Sequence, residues 1–118
     1  AAGDATIRAA GAAFRQALRD GDVAARLSGD EFAFLLPNTG LAQALAVAER
    51  LRKRAETVRL DFRPPAGGPA SKVRITASLG VAVAPDHADT PGALIDRSDR
   101  ALYLAKEGGR NRVAGPKA

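Results

Sequence analysis

Asp30 and Glu31 stand next to each other inside an otherwise apolar stretch, ARLSGDEFAFLL, residues 25–36. Adjacent carboxylates repel unless a cation joins them, and a hard divalent ion such as Mg²⁺ favours carboxylate oxygens. Gly29, just before them, lets backbone come close to a ligand. By chemistry alone this is a candidate metal–phosphate site. The competing reading is a solvated turn, where Asp and Glu are common. Lys106 and Arg110 lie four apart around Gly108-Gly109. They could meet an anion, although long cations also suit a helix C-terminus with no ligand. Arg19-Asp20-Gly21-Asp22 offers an arginine and a carboxylate three apart, which could be no more than a loose ion pair at a helix end.

These residues need elements to hold them. Ile7, Ala10, Phe14 and Leu18 recur at helical spacing, so residues 4–20 are read as a helix with Asp4 as N-cap, ended by DGD at 20–22. Residues 23–27 and 31–36 read as strands joined by a turn at Ser28-Gly29-Asp30. PNTG at 37–40 is turn chemistry with Thr39 as a helix cap. A helix comes next over 41–57, with Ala44, Ala48, Leu51, Ala55 and Val58 in its stripe. Residues 63–72 read as a Pro/Gly-rich loop, and VRITASLGVAV at 73–83 as a strand whose Gly80 marks a bulge or a close neighbour. A helix over 92–107 turns Leu94, Ala101, Leu102 and Ala105 inward and packs Tyr103. Gly108-Gly109 caps it, and RNRVAG supplies a last short strand. This α-β-β-α-β-α-β order predicts an α+β fold, with a mainly antiparallel central sheet and helices packed on both faces.

The chain of 118 residues is one domain's worth, with 46% apolar residues and no cysteine for disulfides or thiolate metal sites. No apolar run is long enough to cross a bilayer. The net charge of +5, carried by 14 Arg against 4 Lys, suits anionic partners, and is also the outcome of a genome that writes Arg for most cations. A nucleic-acid-binding role is not favoured. The basic run ERLRKRAETVR at 49–59 belongs to a helix whose apolar face is needed for the core, and no aromatic stacking platform accompanies it. The single histidine, His87, reads as a surface residue.

RLSGDEFAFLLP resembles the signature of the GGDEF domain, the diguanylate cyclase family. AAGDATIRAAGAAF resembles the family segment that comes after its first strand and helix. TASLGVAV resembles its central strand, and DRSDRALYLAKEGGRNRV its C-terminal signature. The resemblance implies a palm-like nucleotidyl cyclase fold over residues 1–118, truncated at its N-terminus, with no second domain. It implies condensation of two GTP into cyclic di-GMP with Mg²⁺ (or Mn²⁺), across a homodimer whose sites face each other. It assigns Asp30 to metal binding and to support of the attacking hydroxyl, and Glu31 to metal geometry or proton transfer. Gly29 would lie against the nucleotide, Asp4 would accept hydrogen bonds from guanine, and Lys106 and Arg110 would contact the terminal phosphates. Arg19 and Asp22, with Arg50, would hold cyclic di-GMP at a product-inhibition site.

Ser28 departs from the family by replacing the signature's first glycine. The family's first-strand Asp and first-helix Asn would precede Ala1, so the 118 residues alone are expected to turn over little GTP. The resemblance further implies a bacterial, cytoplasmic setting, a parent protein either free or membrane-anchored, and an upstream sensor or receiver module. The rival reading is a degenerate module that binds GTP or cyclic di-GMP to regulate a neighbour. Retention of Asp30 and Glu31 favours the enzyme.

Overall fold

The structure is a computed structural model that describes residues 2–28 and 31–116, leaving out the side chains of residues 2–4, 28 and 62. Helix α1 spans Ala2–Ala17 and leads into the antiparallel pair β1 (Val23–Ser28) and β2 (Glu31–Leu35). Helix α2 (Leu41–Glu56) comes next, then a second antiparallel pair, β3 (Arg59–Phe62) and β4 (Ser71–Arg74). The chain closes with β5 (Leu79–Gly80), α3 (Pro91–Glu107) and β6 (Val113–Ala114), a βαβ unit with β5 and β6 parallel. The α+β class expected from the sequence is therefore found. Among the described residues the strands form three separate pairs, two antiparallel and one parallel.

The core lies between α1, α2 and the inner face of β2. Ala10, Phe14 and Ala17 of α1 meet Val47, Leu51 and Ala55 of α2, and Phe32, Phe34, Leu36, Ile75, Ala77 and Leu79 pack around them. Small residues on both helices let them approach, and Leu51, only 2% exposed, fills the contact. With few aromatics available, three phenylalanines gather in one place. Phe14 meets Phe32 and Phe34 edge-on, with ring centroids 5.3 and 5.4 Å apart.

The packing of helices on both faces, expected of a central sheet, is found at the β5–β6 pair. Leu79 packs toward the α1–α2 core. Gly80, its neighbour, faces α3. A Cβ on Gly80 would stand 2.2 Å from the Leu102 amide nitrogen and 2.3 Å from the Ser98 carbonyl oxygen. Gly80 thus marks a close neighbour and not a bulge.

Several local expectations are corrected. Asp4 is not an N-cap, because α1 already begins at Ala2. Thr39 does not cap α2; Gly40 holds that position without a side-chain bond, and the Thr39 hydroxyl is engaged elsewhere. Helix α3 starts at Pro91, one residue earlier than expected. The Thr90 hydroxyl caps it by accepting from the Ala93 amide at 3.2 Å, and Pro91 supplies a first-turn residue with no N–H to satisfy. The single strand read over 73–83 is two strands, because the segment changes partner. β4 pairs with β3, residues 75–78 carry no strand pairing, and β5 pairs with β6. The inward alternation of Ile75, Ala77 and Leu79 survives the change, which is why the segment read as one strand. The loop read over 63–72 is confined to 63–70, since Ser71 and Lys72 belong to β4.

Tyr103 is 61% exposed and does not pack. A hydrogen bond with Glu107, one turn on, raises its phenol pKa, with burial adding to the rise. His87 is half-buried and structural. Its Nδ1 accepts from the Val83 amide at 2.9 Å, while its own amide donates to the Val83 carbonyl at 2.8 Å.

Candidate functional site

The hairpin that carries the acidic pair is tighter than the sequence suggested. Ser28 pairs directly with Glu31, so only Gly29 and Asp30 connect the strands. Both lie outside the described residues, as does the side chain of Asp4. Below the tip, Arg26 pairs with Phe32 and the ladder skips Leu27, a β-bulge one residue from the turn. Bulges bend and twist a strand and re-aim what lies beyond them. The hairpin is anchored on one face by Phe32 and Phe34. Glu31 begins β2 and is exposed. Among the described residues no three acidic or histidine side chains gather as a metal-binding group. A cation at the tip would take oxygen donors, from carboxylates such as that of Glu31 and from a bound ligand. That donor set, carboxylate with no thiolate or imidazole near, suits a hard ion such as Mg²⁺ or Mn²⁺.

Lys106 sits in the last turn of α3 and Arg110 just beyond it, both exposed. The backbone between them reverses sharply. Gly109, Arg110 and Asn111 all take positive φ, at 119°, 64° and 47°. Glycine adopts this freely and asparagine tolerates it, but at Arg110 it carries strain. The turn is held by amide bonds back to the helix, from Arg110 to the Ala105 carbonyl at 3.0 Å and from Gly109 to that of Lys106 at 3.3 Å. The Arg112 side chain lies over both glycines. Its guanidinium nitrogens would stand 2.9 and 2.7 Å from Cβ atoms placed on Gly108 and Gly109.

Arg19 and Asp22 form a closed turn. The Arg19 amide donates to Asp22 Oδ2 at 3.1 Å, its Nε to Oδ1 at 3.3 Å, and the Asp22 amide returns to the Arg19 carbonyl at 3.1 Å. The Asp22 side chain is 2% exposed, while that of Arg19 is half-exposed. Arg19 also donates through Nη2 to the Pro37 carbonyl at 3.0 Å and to the Thr39 hydroxyl. An open cavity of about 420 Å³ adjoins this turn, lined by Arg15, Leu18, Arg19, Asp20, Asp22, Val23 and Ala24. Arg50 lies exposed on α2 and does not line it.

Sequence reasoning missed two features. Arg15 borders both this cavity and a second one of about 310 Å³, shared with Arg8, Arg26 and Phe32. Its position one helical turn before Arg19 was the available signal. A polar network around Arg52 was also missed. Arg52 pairs with Glu49 and with Glu56 (3.2 Å), and donates through Nη1 to Asn111 Oδ1 at 3.0 Å. The hydrogen bond from Arg52 holds the Glu49 carboxyl below its usual range against the opposing effect of burial, and the same bond raises the Arg52 guanidinium.

The sequence profile of the family described as diguanylate cyclase, GGDEF domain, matches residues 1–112. The chain is 35% identical over 113 residues to diguanylate cyclase A of Treponema denticola, covering 96% of this chain and 29% of that protein. In three dimensions it resembles the GGDEF domain of TpbB (YfiN) from Pseudomonas aeruginosa, with a TM-score of 0.79 and 35% identity over 99% of this chain and 70% of that one. It also resembles the GGDEF domain of DgcB from Caulobacter crescentus in complex with c-di-GMP. There the TM-score is 0.78 and the identity 27%, over 95% of this chain and 63% of that one. The chain spans between a quarter and a third of the length of the curated relatives it matches. With the hairpin, the helix end and the fold all in family order, the chain belongs to the GGDEF family of diguanylate cyclases.

Proposed function

We propose that residues 1–118 form the GTP-condensing part of a diguanylate cyclase and that Asp30 and Glu31 are its reacting carboxylates. The observation that carries this reading is the hairpin, whose strand pairing runs as far as Ser28 and Glu31 while Phe32 and Phe34 of β2 pack against the core. In the proposed reaction the 3′-oxygen of one GTP bonds to the α-phosphorus of another. The bridging bond to the β-phosphate breaks, and pyrophosphate leaves with its electron pair. Glu31 takes the hydroxyl proton, and the step repeats in the opposite sense to close the ring. Asp30 and Glu31 would hold Mg²⁺ or Mn²⁺, which supplies charge neutralisation at the phosphates. Lys106 and Arg110 would hold the terminal phosphates, and Asp4 would read guanine. Two copies must face each other, because each contributes one GTP. Positioning and charge neutralisation then account for most of the rate.

Arg19, Asp22 and Arg50 are proposed to bind cyclic di-GMP as a product inhibitor. Support comes from the preformed Arg19–Asp22 turn beside an open cavity and from the c-di-GMP complex of the similar DgcB domain. Arg19 is already bonded to Pro37 and Thr39, so a ligand phosphate would exchange for these partners. A cytoplasmic setting and an upstream regulatory module belong to the same proposal. Among the described residues, no helix is long and apolar enough to cross a membrane.

Calorimetry with GTP and with cyclic di-GMP, each with Mg²⁺, tests the reading. Binding of both, with D30N and E31Q abolishing the metal dependence of GTP binding alone, is expected. Binding of cyclic di-GMP only would make the domain a receptor and refute the enzymatic role.

A further inference from the structure

The turn that carries Arg110 is tied to a helix far from it in sequence. Asn111 uses its backbone N–H and both polar atoms of its side chain. The backbone N–H donates to Ser78 Oγ at 3.1 Å, Nδ2 donates to Glu56 Oε2 at 2.9 Å, and Oδ1 accepts from Arg52 Nη1 at 3.0 Å. Arg52 and Glu56 are themselves paired one turn apart on α2. The result is a closed ring of Arg52, Glu56 and Asn111, fixed to the 75–78 segment through Ser78. The side chain of Arg52 is 16% exposed and that of Glu56 42%, so the ring is partly covered, with its arginine the more sheltered member.

The ring closes on the last of three consecutive residues with positive φ. The second is Arg110, a β-unbranched but bulky residue that would leave this conformation if nothing held it. The amide bond to Ala105 holds it from the helix side, and Asn111 is the clamp on the other side. We propose that Asn111, held by Arg52 and Glu56, is a positioning residue that keeps Arg110 beside Lys106 so that both reach one polyphosphate. The side chain of Asn111 itself touches no substrate. The inference rests on the phosphate-binding reading of Lys106 and Arg110.

The ring also predicts its own repair. In N111D the Glu56 carboxylate loses a donor and meets a second carboxylate, while Arg52 keeps an acceptor. Adding E56Q returns a donor opposite Asp at 111, so the double variant should recover. N111G removes the ties yet allows the positive φ, which separates backbone strain from the side-chain bonds.

The test is calorimetry of the 118-residue chain with Mg²⁺–GTP and with guanosine, which carries no phosphate. K106A/R110A serves as the reference for losing the phosphate contacts. N111D is expected to weaken GTP binding about tenfold, the scale of one lost hydrogen bond to a charged group. N111G, which loses both side-chain ties, should weaken it by at least a similar factor, guanosine binding should be unchanged in both, and N111D/E56Q should regain most of the affinity. Loss of GTP and guanosine binding by the same factor would mean a merely structural role and overturn the proposal. Wild-type GTP affinity in N111D, with K106A/R110A impaired, would also overturn it and leave the phosphate reading standing. If K106A/R110A binds GTP as well as the wild type, or the wild type binds none, the phosphate reading itself fails and takes the positioning role with it.

Discussion

Replacing Gly80 by alanine should drive α3 off the strand layer. The added Cβ would lie 2.2 Å from the Leu102 nitrogen, 2.3 Å from the Ser98 oxygen and 2.7 Å from the Leu102 Cα. Ordinary contact begins at 3.4 Å, so the closest approach falls short by about 1.2 Å. All three atoms are helix backbone, so no rotamer change relieves the clash. The helix must retreat, or β5 must leave β6. Overpacking typically costs about 1–3 kcal/mol, and rigid backbone on one side puts G80A at the upper end, ~3 kcal/mol or more. For a domain of this size that lowers the unfolding midpoint by roughly 10–20 °C. Thermal unfolding monitored by circular dichroism reads the change. G92A is the matched control, because a Cβ on Gly92 meets nothing within 4 Å. A G80A protein that melts within a few degrees of the wild type would refute the packing argument. α3 carries Lys106, so a partial retreat should also weaken Mg²⁺–GTP binding in G80A and leave it unchanged in G92A.

Three further outcomes are expected. L51A empties the best-buried position between α1 and α2, at 2% exposure, and should cost about 2–5 kcal/mol in denaturant unfolding. R19A removes a guanidinium from the nearly buried Asp22 carboxylate and from Pro37. It should destabilise the chain by roughly 1–2 kcal/mol even without ligand, and abolish any cyclic di-GMP binding measured by calorimetry. The Glu49 carboxyl is held below its ordinary value of 4.5 chiefly by the hydrogen bond from Arg52. Its folded-state pKa is depressed, so its contribution is complete above that ordinary value and is lost as the pH falls through the lowered one. E49Q should flatten that acid limb of a stability-against-pH curve and leave the neutral region sloped as before.

The sequence made the three helices legible because their signals are local. Ala44, Ala48, Leu51 and Ala55 recur at helical spacing and are all buried on α2, and Ala101 and Ala105 do the same on α3. The β1–β2 hairpin was legible from apolar strands around a glycine. Strand β3 was not read, although VRLDF at 58–62 alternates apolar and charged residues. Its partner β4 lies beyond a Pro/Gly-rich loop, and pairing across such a gap leaves no mark in either segment. The split of 73–83 was hidden for a related reason, since side-chain alternation persists where the hydrogen-bonded partner changes. The same division runs through the candidate site. Arg19 and Asp22 are three apart and could be read as a pair, whereas Asn111 meets Arg52 and Glu56 across separations of 59 and 55 residues. Thr39 stands just ahead of a helix and so resembles a cap, but its hydroxyl serves Arg19, which comes from an earlier helix end.

The ladder's omission of Leu27 has a consequence for how this hairpin tolerates change over generations. Leu27 is 63% exposed, so exchanging its side chain alters little. Removing the residue altogether is another matter. The Arg26–Phe32 and Ser28–Glu31 pairs would then follow one another in uniform register, and the strand would lose the bend and extra twist that a bulge gives it there. All the acidic signature letters would still be present, in order, in such a chain. A one-codon gap at position 27 would therefore keep every letter from Ser28 to Phe34 while straightening the strand that leads to them, a change that only the pairing pattern reveals.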